Sequence, residues 1–161
     1  MREIHLTKQG RDRLAEELTR LKGPARIKNN KAIREAVAHG DLKENGEYHS
    51  AKRDQDIMEA RISWLEDRLG RTRLLDRRDI SSDRVMIGTT ITLVNLDTKE
   101  SATYSLLSEE ESDHERGIIA VTTPLIKGLM GKKAGDEAVV QVPEGAKRYK
   151  IKSIKVYEGL S

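Results

Sequence analysis

The chain of 161 residues contains no cysteine and no phenylalanine, and it has a single tryptophan, Trp64. Without cysteine, disulfides and thiolate metal centres are excluded, and a chain of this kind fits a reducing cytoplasm. Aromatic residues make up 3% of the chain against 35% charged residues, thin material for one large core. Such a balance suits long exposed helices that pack along one narrow apolar stripe. No apolar run approaches ~18 residues, so no segment is expected to span a membrane. The opening "MREIHLTKQG" has no apolar signal core, so a soluble cytoplasmic protein is expected. The four histidines, His5, His39, His49 and His114, have no ligand spacing, which argues against zinc. There is no GxxxxGK[ST] loop and no GxSxG elbow. The tyrosines of the second half, Tyr104, Tyr149 and Tyr157, are too few for a base-stacking sheet.

What is present divides into two halves. Residues 1–79 carry 19 Lys/Arg against 15 Asp/Glu, and residues 80–161 carry 11 against 12. The first half is the better candidate to face a polyanion, the alternative being a salt-bridged helical surface. From about Thr7, a plausible N-cap, to Ala38, apolar residues recur at Leu14, Leu18, Leu21, Ala25, Ala32 and Ala36, a helical stripe. Gly23-Pro24 interrupts it, and a kink or short break is expected there. The stripe resumes through Ile27, Ile33 and Val37. A second stripe, from about Glu44 to Leu75, runs Ala51, Met58, Ile62, Leu65, Leu69, with Gln55 at the missing step. A short turn at His39-Gly40 makes the two helices antiparallel, an arm roughly 45 Å long with the turn at its far end.

Beyond "RRDISSD" the period becomes two. "MIGTTITLVNL" and "SATYSLL" read as strands about a turn at Asp97-Thr98, and "GIIAV" as a short buried strand. "SEEESDHER" reads as a solvated acidic loop. Thr123 as N-cap and Pro124 at the first helical position open a short helix stopped by Gly131. "DEAVVQV" and "KRYKIKSIKVY" form a hairpin over Pro143-Glu144-Gly145, with a bulge expected near Ser153. The fold class is α+β: an N-terminal antiparallel helical hairpin over residues 1–77, then a mainly antiparallel β domain with one short helix over 78–161.

The stretch "AHGDLKENGEYHSAK" sets Asp41, Glu44 and Glu47 about the turn. Two readings stand side by side. D-x-x-E at a helix start is a capping box, with Asp41 accepting from an amide and Glu44 reaching back. Alternatively, two carboxylates on a narrow probe are hard oxygen donors that could be lent to a Mg²⁺ held mainly by something else. Lys31, Arg34, Lys43, Lys52 and Arg53 flank the turn and either bind a phosphate backbone or pair along the helices, Lys52 and Arg53 with Asp54 and Asp56.

"HGDLKENGEYHSAK" resembles the coiled-coil tip of bacterial Gre transcript-cleavage factors, in an order closer to the GreA than the GreB type. "LTKQGRDRLAEELTRLK" is similar to the family's opening helix. The segment from Thr122 to Tyr157 is similar to its C-terminal domain, whose fold resembles FKBP. Val37 stands where family members often carry a base, and the second half lacks the aromatic pocket of prolyl isomerases. The resemblance implies a transcription elongation factor with two partners, RNA polymerase and the nascent RNA of the elongation complex. The second domain would dock at the mouth of the secondary channel through Thr122, Thr123 and Pro124, and the arm would reach the active site. There Asp41 and Glu44 would help hold a shared catalytic Mg²⁺ for cleavage of backtracked RNA, with Tyr48 supporting the tip and Lys43, Lys52 and Arg53 contacting RNA. It further implies a monomer with no cofactor of its own, and an activator of the polymerase rather than an enzyme. Competing expectations are a Gre-like channel regulator that does not promote cleavage and a coiled-coil adaptor with an incidental acidic cap.

Overall fold

The computed structural model describes residues 2–40 and 44–160, so Asp41 and Lys43 of the sequence reading lie outside the described residues. In chain order the elements are β1 (Ile4–Leu6), α1 (Lys8–Arg20), a π-helical turn (Leu21–Ala25), α2 (Arg26–Ala38), α3 (Gly46–Gly70), β2 (Thr72–Leu74), β3 (Thr89–Asn95), β4 (Ser101–Leu107), β5 (Ile118–Ala120), α4 (Pro124–Lys127), β6 (Glu137–Val142) and β7 (Gly145–Val156), with short 3₁₀ turns between. Two compact units result, one mainly Arg11–Thr72, the other Glu3–Gly10 together with the chain from Arg73 on. No described helix is long and apolar enough to cross a membrane.

In the helical unit α2 and α3 lie against each other, with Leu14, Leu21, Ala36, Ala51, Ile62 and Leu65 buried. The Gly23-Pro24 pair does not break the helix. It sits in the π turn, whose wider ring relieves the clash between the Pro24 ring and the preceding turn and leaves the missing amide unused. Ile27 and Val37 are not on the stripe; they are 69% and 47% exposed. Asn29 lies in the seam instead, its Nδ2 donating to the Ala51 carbonyl at 3.0 Å. The expected helix to Leu75 ends at Gly70, because Thr72–Leu74 pairs with β1 as a two-stranded ladder. Trp64 packs under the Arg61 and Arg68 guanidinium carbons, 4.4 and 4.9 Å from its ring centre.

Two bidentate pairs cross the hairpin. Arg26 grips Glu59 at 2.8 and 2.7 Å, and Arg61 grips Glu17 at 2.7 and 2.8 Å. Hydrogen bonding from Arg61 holds the Glu17 carboxyl below its usual 4.5. A depressed carboxyl stabilises the fold above its unfolded pKa, and that contribution disappears as pH falls through the lowered value. Arg61→Met is therefore expected to cost about 0.5 kcal/mol at neutral pH and to lose that difference from wild type at a pH below the lowered Glu17 value. Urea titrations at both pH values check this; an equal loss at both would show that the residue acts through packing on Trp64.

The second unit is a five-stranded sheet of order β5-β4-β3-β7-β6, antiparallel except for the β4–β5 pair. Alternate residues of β3, β4 and β7 build its core, Ile91, Leu93, Leu106 and Ile151, closed by Ile126 and Leu129. The bulge falls where the pattern puts it: Thr92 pairs with Ser153 and Leu93 with Ile151, leaving Lys152 as the extra residue.

The acidic segment is not simply solvated. Glu111 is 5% exposed, and its carboxylate accepts the Thr7 amide at 2.8 Å and the Thr7 hydroxyl. Thr7 Oγ1 accepts in turn from the Gly10 amide at 3.0 Å, so Thr7 is the N-cap of α1, as its position before the stripe suggests. The buried acid has donors to pair with and lies at the positive end of a helix, which is why it tolerates burial. A Cβ at position 10 would overlap the Glu111 carboxylate, so any larger residue there forces that carboxylate to move.

Candidate functional site

The hairpin tip is built by the ends of α2 and α3. Helix α2 stops at His39, whose amide donates to the Ala36 carbonyl at 3.1 Å. Gly40 follows at φ +129, a conformation L side chains rarely adopt. Helix α3 is opened by Asn45 rather than by Glu44, and Asp41, the other half of the capping-box reading, lies outside the described residues. Asn45 Oδ1 accepts the Tyr48 amide at 3.1 Å, so Glu44 precedes the helix. The capping-box reading of Glu44 fails for this reason: the amide side chain of Asn45 already occupies the cap. The same side chain donates through Nδ2 to the Ala36 carbonyl at 2.6 Å. A second tie joins the two helix ends, His39 Nδ1 to Glu47 Oε2 at 3.0 Å, on side chains 65% and 72% exposed.

Glu44 is exposed beside an open depression lined by His39, Glu44, Asn45, Gly46 and Glu47. Among the described residues its carboxylate has no ion-pair partner within reach. Tyr48 is half-buried in the first turn of α3, its ring edge-to-face with His49 at 5.5 Å. Lys52 and Arg53 follow about one turn along. Neither pairs with Asp54 or Asp56, which was the alternative to phosphate contact. Lys52 Nζ instead donates to Gln55 Oε1 at 2.8 Å, and Arg53 is exposed. Among the described residues no three His, Asp or Glu side chains converge on a possible metal position.

Residues 4–74 match the family pattern "Transcription elongation factor, N-terminal", and residues 80–156 match "Transcription elongation factor, GreA/GreB, C-term". The chain belongs to the GreA/GreB family of transcription elongation factors. It is 43% identical over 152 residues to Transcription elongation factor GreA of Desulfotalea psychrophila, covering 94% of each chain. It is 45% identical over 154 residues to that of Chloroherpeton thalassium, covering 96% of this chain and 98% of the other. Against the crystal structure of GreA factor homolog 1 (Gfh1) of Thermus thermophilus, it is 26% identical, with 96% of this chain and 99% of that one covered and a TM-score of 0.44. The family assignment agrees with the resemblance read from the tip motif.

In the GreA/GreB C-terminal unit, Thr122 is exposed and Thr123 and Pro124 lead into α4. Thr123 stands at the N-cap position, but its hydroxyl donates back to the Ala120 carbonyl at 2.9 Å instead of accepting from the helix. This ties the corner to β5. Thr122, Thr123 and Pro124 are consecutive residues of the second unit, while Glu44 and Tyr48 belong to the helical unit. The ties that sequence reasoning missed are those of Asn45 to Ala36 and of His39 to Glu47. Their signal was present: Asn, then Gly-Glu, is an N-cap followed by an acid in the first turn, which D-x-x-E overshadowed.

Proposed function

We propose that the chain binds RNA polymerase, carries its helical hairpin into the secondary channel and stimulates cleavage of backtracked nascent RNA by the polymerase itself. The observation that carries this reading is Glu44, an exposed carboxylate held between two clamped helix ends at the tip of a GreA/GreB-type hairpin. The donor chemistry fits Mg²⁺, which takes one or two carboxylates and keeps several waters; Glu44 offers a hard oxygen ligand, with Asp41 three residues before it. Bound there, the ion would activate water and stabilise the attacking and leaving oxygens of the phosphodiester. The factor's own part is to present the Glu44 and Asp41 carboxylates, to keep them oriented through the clamped tip, and to hold the RNA. Tyr48 stiffens the first turn below them. The Thr122–Pro124 corner, tied by the Thr123 hydroxyl, serves as the docking contact. The test is release of 3′ RNA fragments from stalled elongation complexes with and without the factor.

Lys52 and Arg53, with Lys43, are assigned to the RNA phosphates. The absence of Asp54 and Asp56 pairs leaves the Arg53 guanidinium exposed to solvent and Lys52 on a neutral amide. A Lys52→Glu/Arg53→Glu variant is expected to lower cross-linking to the RNA 3′ segment and to reduce the salt slope by about one for each phosphate no longer neutralised. Salt titrations that superimpose on wild type would remove these residues from the RNA interface.

A further inference from the structure

Asn45 does two jobs with one planar amide. Its oxygen caps the amide end of α3, and its nitrogen reaches the carbonyl end of α2, where Ala36 O also accepts the His39 amide. A cap needs only the first of these bonds. The second joins the two helices immediately beside Glu44, the preceding residue in the chain. The other tie at this level, His39 to Glu47, lies between two exposed side chains and is weakened by solvent and salt. Asn45 is half-buried, and the Ala36 residue it grips is 2% exposed. Few other side chains of this length are both donor and acceptor: aspartate has the acceptor without the donor, and serine falls short of Ala36.

We infer that Asn45 is a positioning residue, locking the ends of α2 and α3 together so that Glu44 is presented in one geometry. The inference rests on the cleavage role proposed for Glu44, but its structural half can be measured on the factor alone. Asn45→Asp separates the two bonds. Aspartate caps a helix as well as asparagine does and favours the helix N-terminus by charge. It has no donor for Ala36, and it sets a carboxylate against that carbonyl. Asn45→Ser also keeps a cap and loses the bridge, without the added charge.

The experiment has two arms. In the free full-length factor, amide exchange at His39 and Gly40 is expected to speed up about fivefold in both variants, while the Tyr48 amide stays protected. In stalled elongation complexes at saturating factor, the Mg²⁺ concentration giving half-maximal cleavage is expected to rise about tenfold, with affinity for polymerase within about twofold of wild type. A purely structural cap predicts a change in neither His39 and Gly40 exchange nor Mg²⁺ dependence, and either arm remaining at the wild-type value in both variants overturns the positioning role. Glu44→Ala, run alongside, separates the failures. If Glu44→Ala still cleaves like wild type, the cleavage reading itself is wrong. If Glu44→Ala is inactive and the Asn45 variants match wild type, only the positioning role is wrong.

Discussion

Glu44→Ala is expected to lower factor-stimulated RNA cleavage by about a hundredfold or more, the loss typical when a group that stabilises a transition state directly is removed. Binding to polymerase is expected to stay within about twofold, because Glu44 is exposed, lies outside α3 and supports no described contact that holds the hairpin. Asp41→Ala is expected to behave alike. The pair of measurements matters more than either alone. Loss of both cleavage and binding would make Glu44 a docking residue, and retention of both would leave the tip without a chemical role. Gln at position 44 keeps the shape but gives up the charge. Cleavage by Glu44→Gln close to that of Glu44→Ala is the expected mark of a ligand to a cation.

Glu111→Ala is expected to destabilise the C-terminal unit by about 2–3 kcal/mol, read as a lower urea midpoint. The substitution strips the Thr7 amide and hydroxyl of a charged acceptor and leaves a buried donor unpaired. Glu111→Gln retains an acceptor and should lose less. Gly10→Ala should be at least as damaging by a different route, since its methyl group would occupy the carboxylate's position. A loss below about 0.5 kcal/mol for Glu111→Ala, the level of an ordinary surface change, would mean that the α1 N-terminus is held by other contacts.

The acidic segment also explains what sequence could and could not disclose. Three consecutive glutamates before Ser-Asp read locally as a solvated loop, and Glu109 is indeed exposed. The burial of Glu111 depends on Thr7, 104 positions away, and no window along the chain contains both. The same limit hid β1 and β2: three residues each, paired with one another from distant parts of the chain, with Thr72–Leu74 lying just beyond the Gly70 at which the helix ends. By contrast β4 was legible to the residue, because its alternation is bounded by turn residues, and the β7 bulge was legible because the inward set changes phase at Ser153. The helical hairpin followed from period alone, but its seam did not. Ile27 and Val37 are apolar and exposed, while Asn29 is polar and sits between helices, so the stripe marks the helix without fixing which residues meet. At the tip, the acids were conspicuous and Asn45 was not, since an asparagine bridging two helix ends has no distinguishing spacing.

The most direct test of the account is single-turnover cleavage of nascent RNA in backtracked elongation complexes assembled from purified polymerase, with the wild-type factor added at increasing concentration in Mg²⁺. The account predicts that 3′ RNA fragments are released faster in a saturable, factor-dependent manner, that the shortened RNA is extended again on nucleotide addition, and that the factor alone leaves free RNA intact. Saturable binding of the factor to these complexes with no acceleration of cleavage at any Mg²⁺ concentration would contradict it.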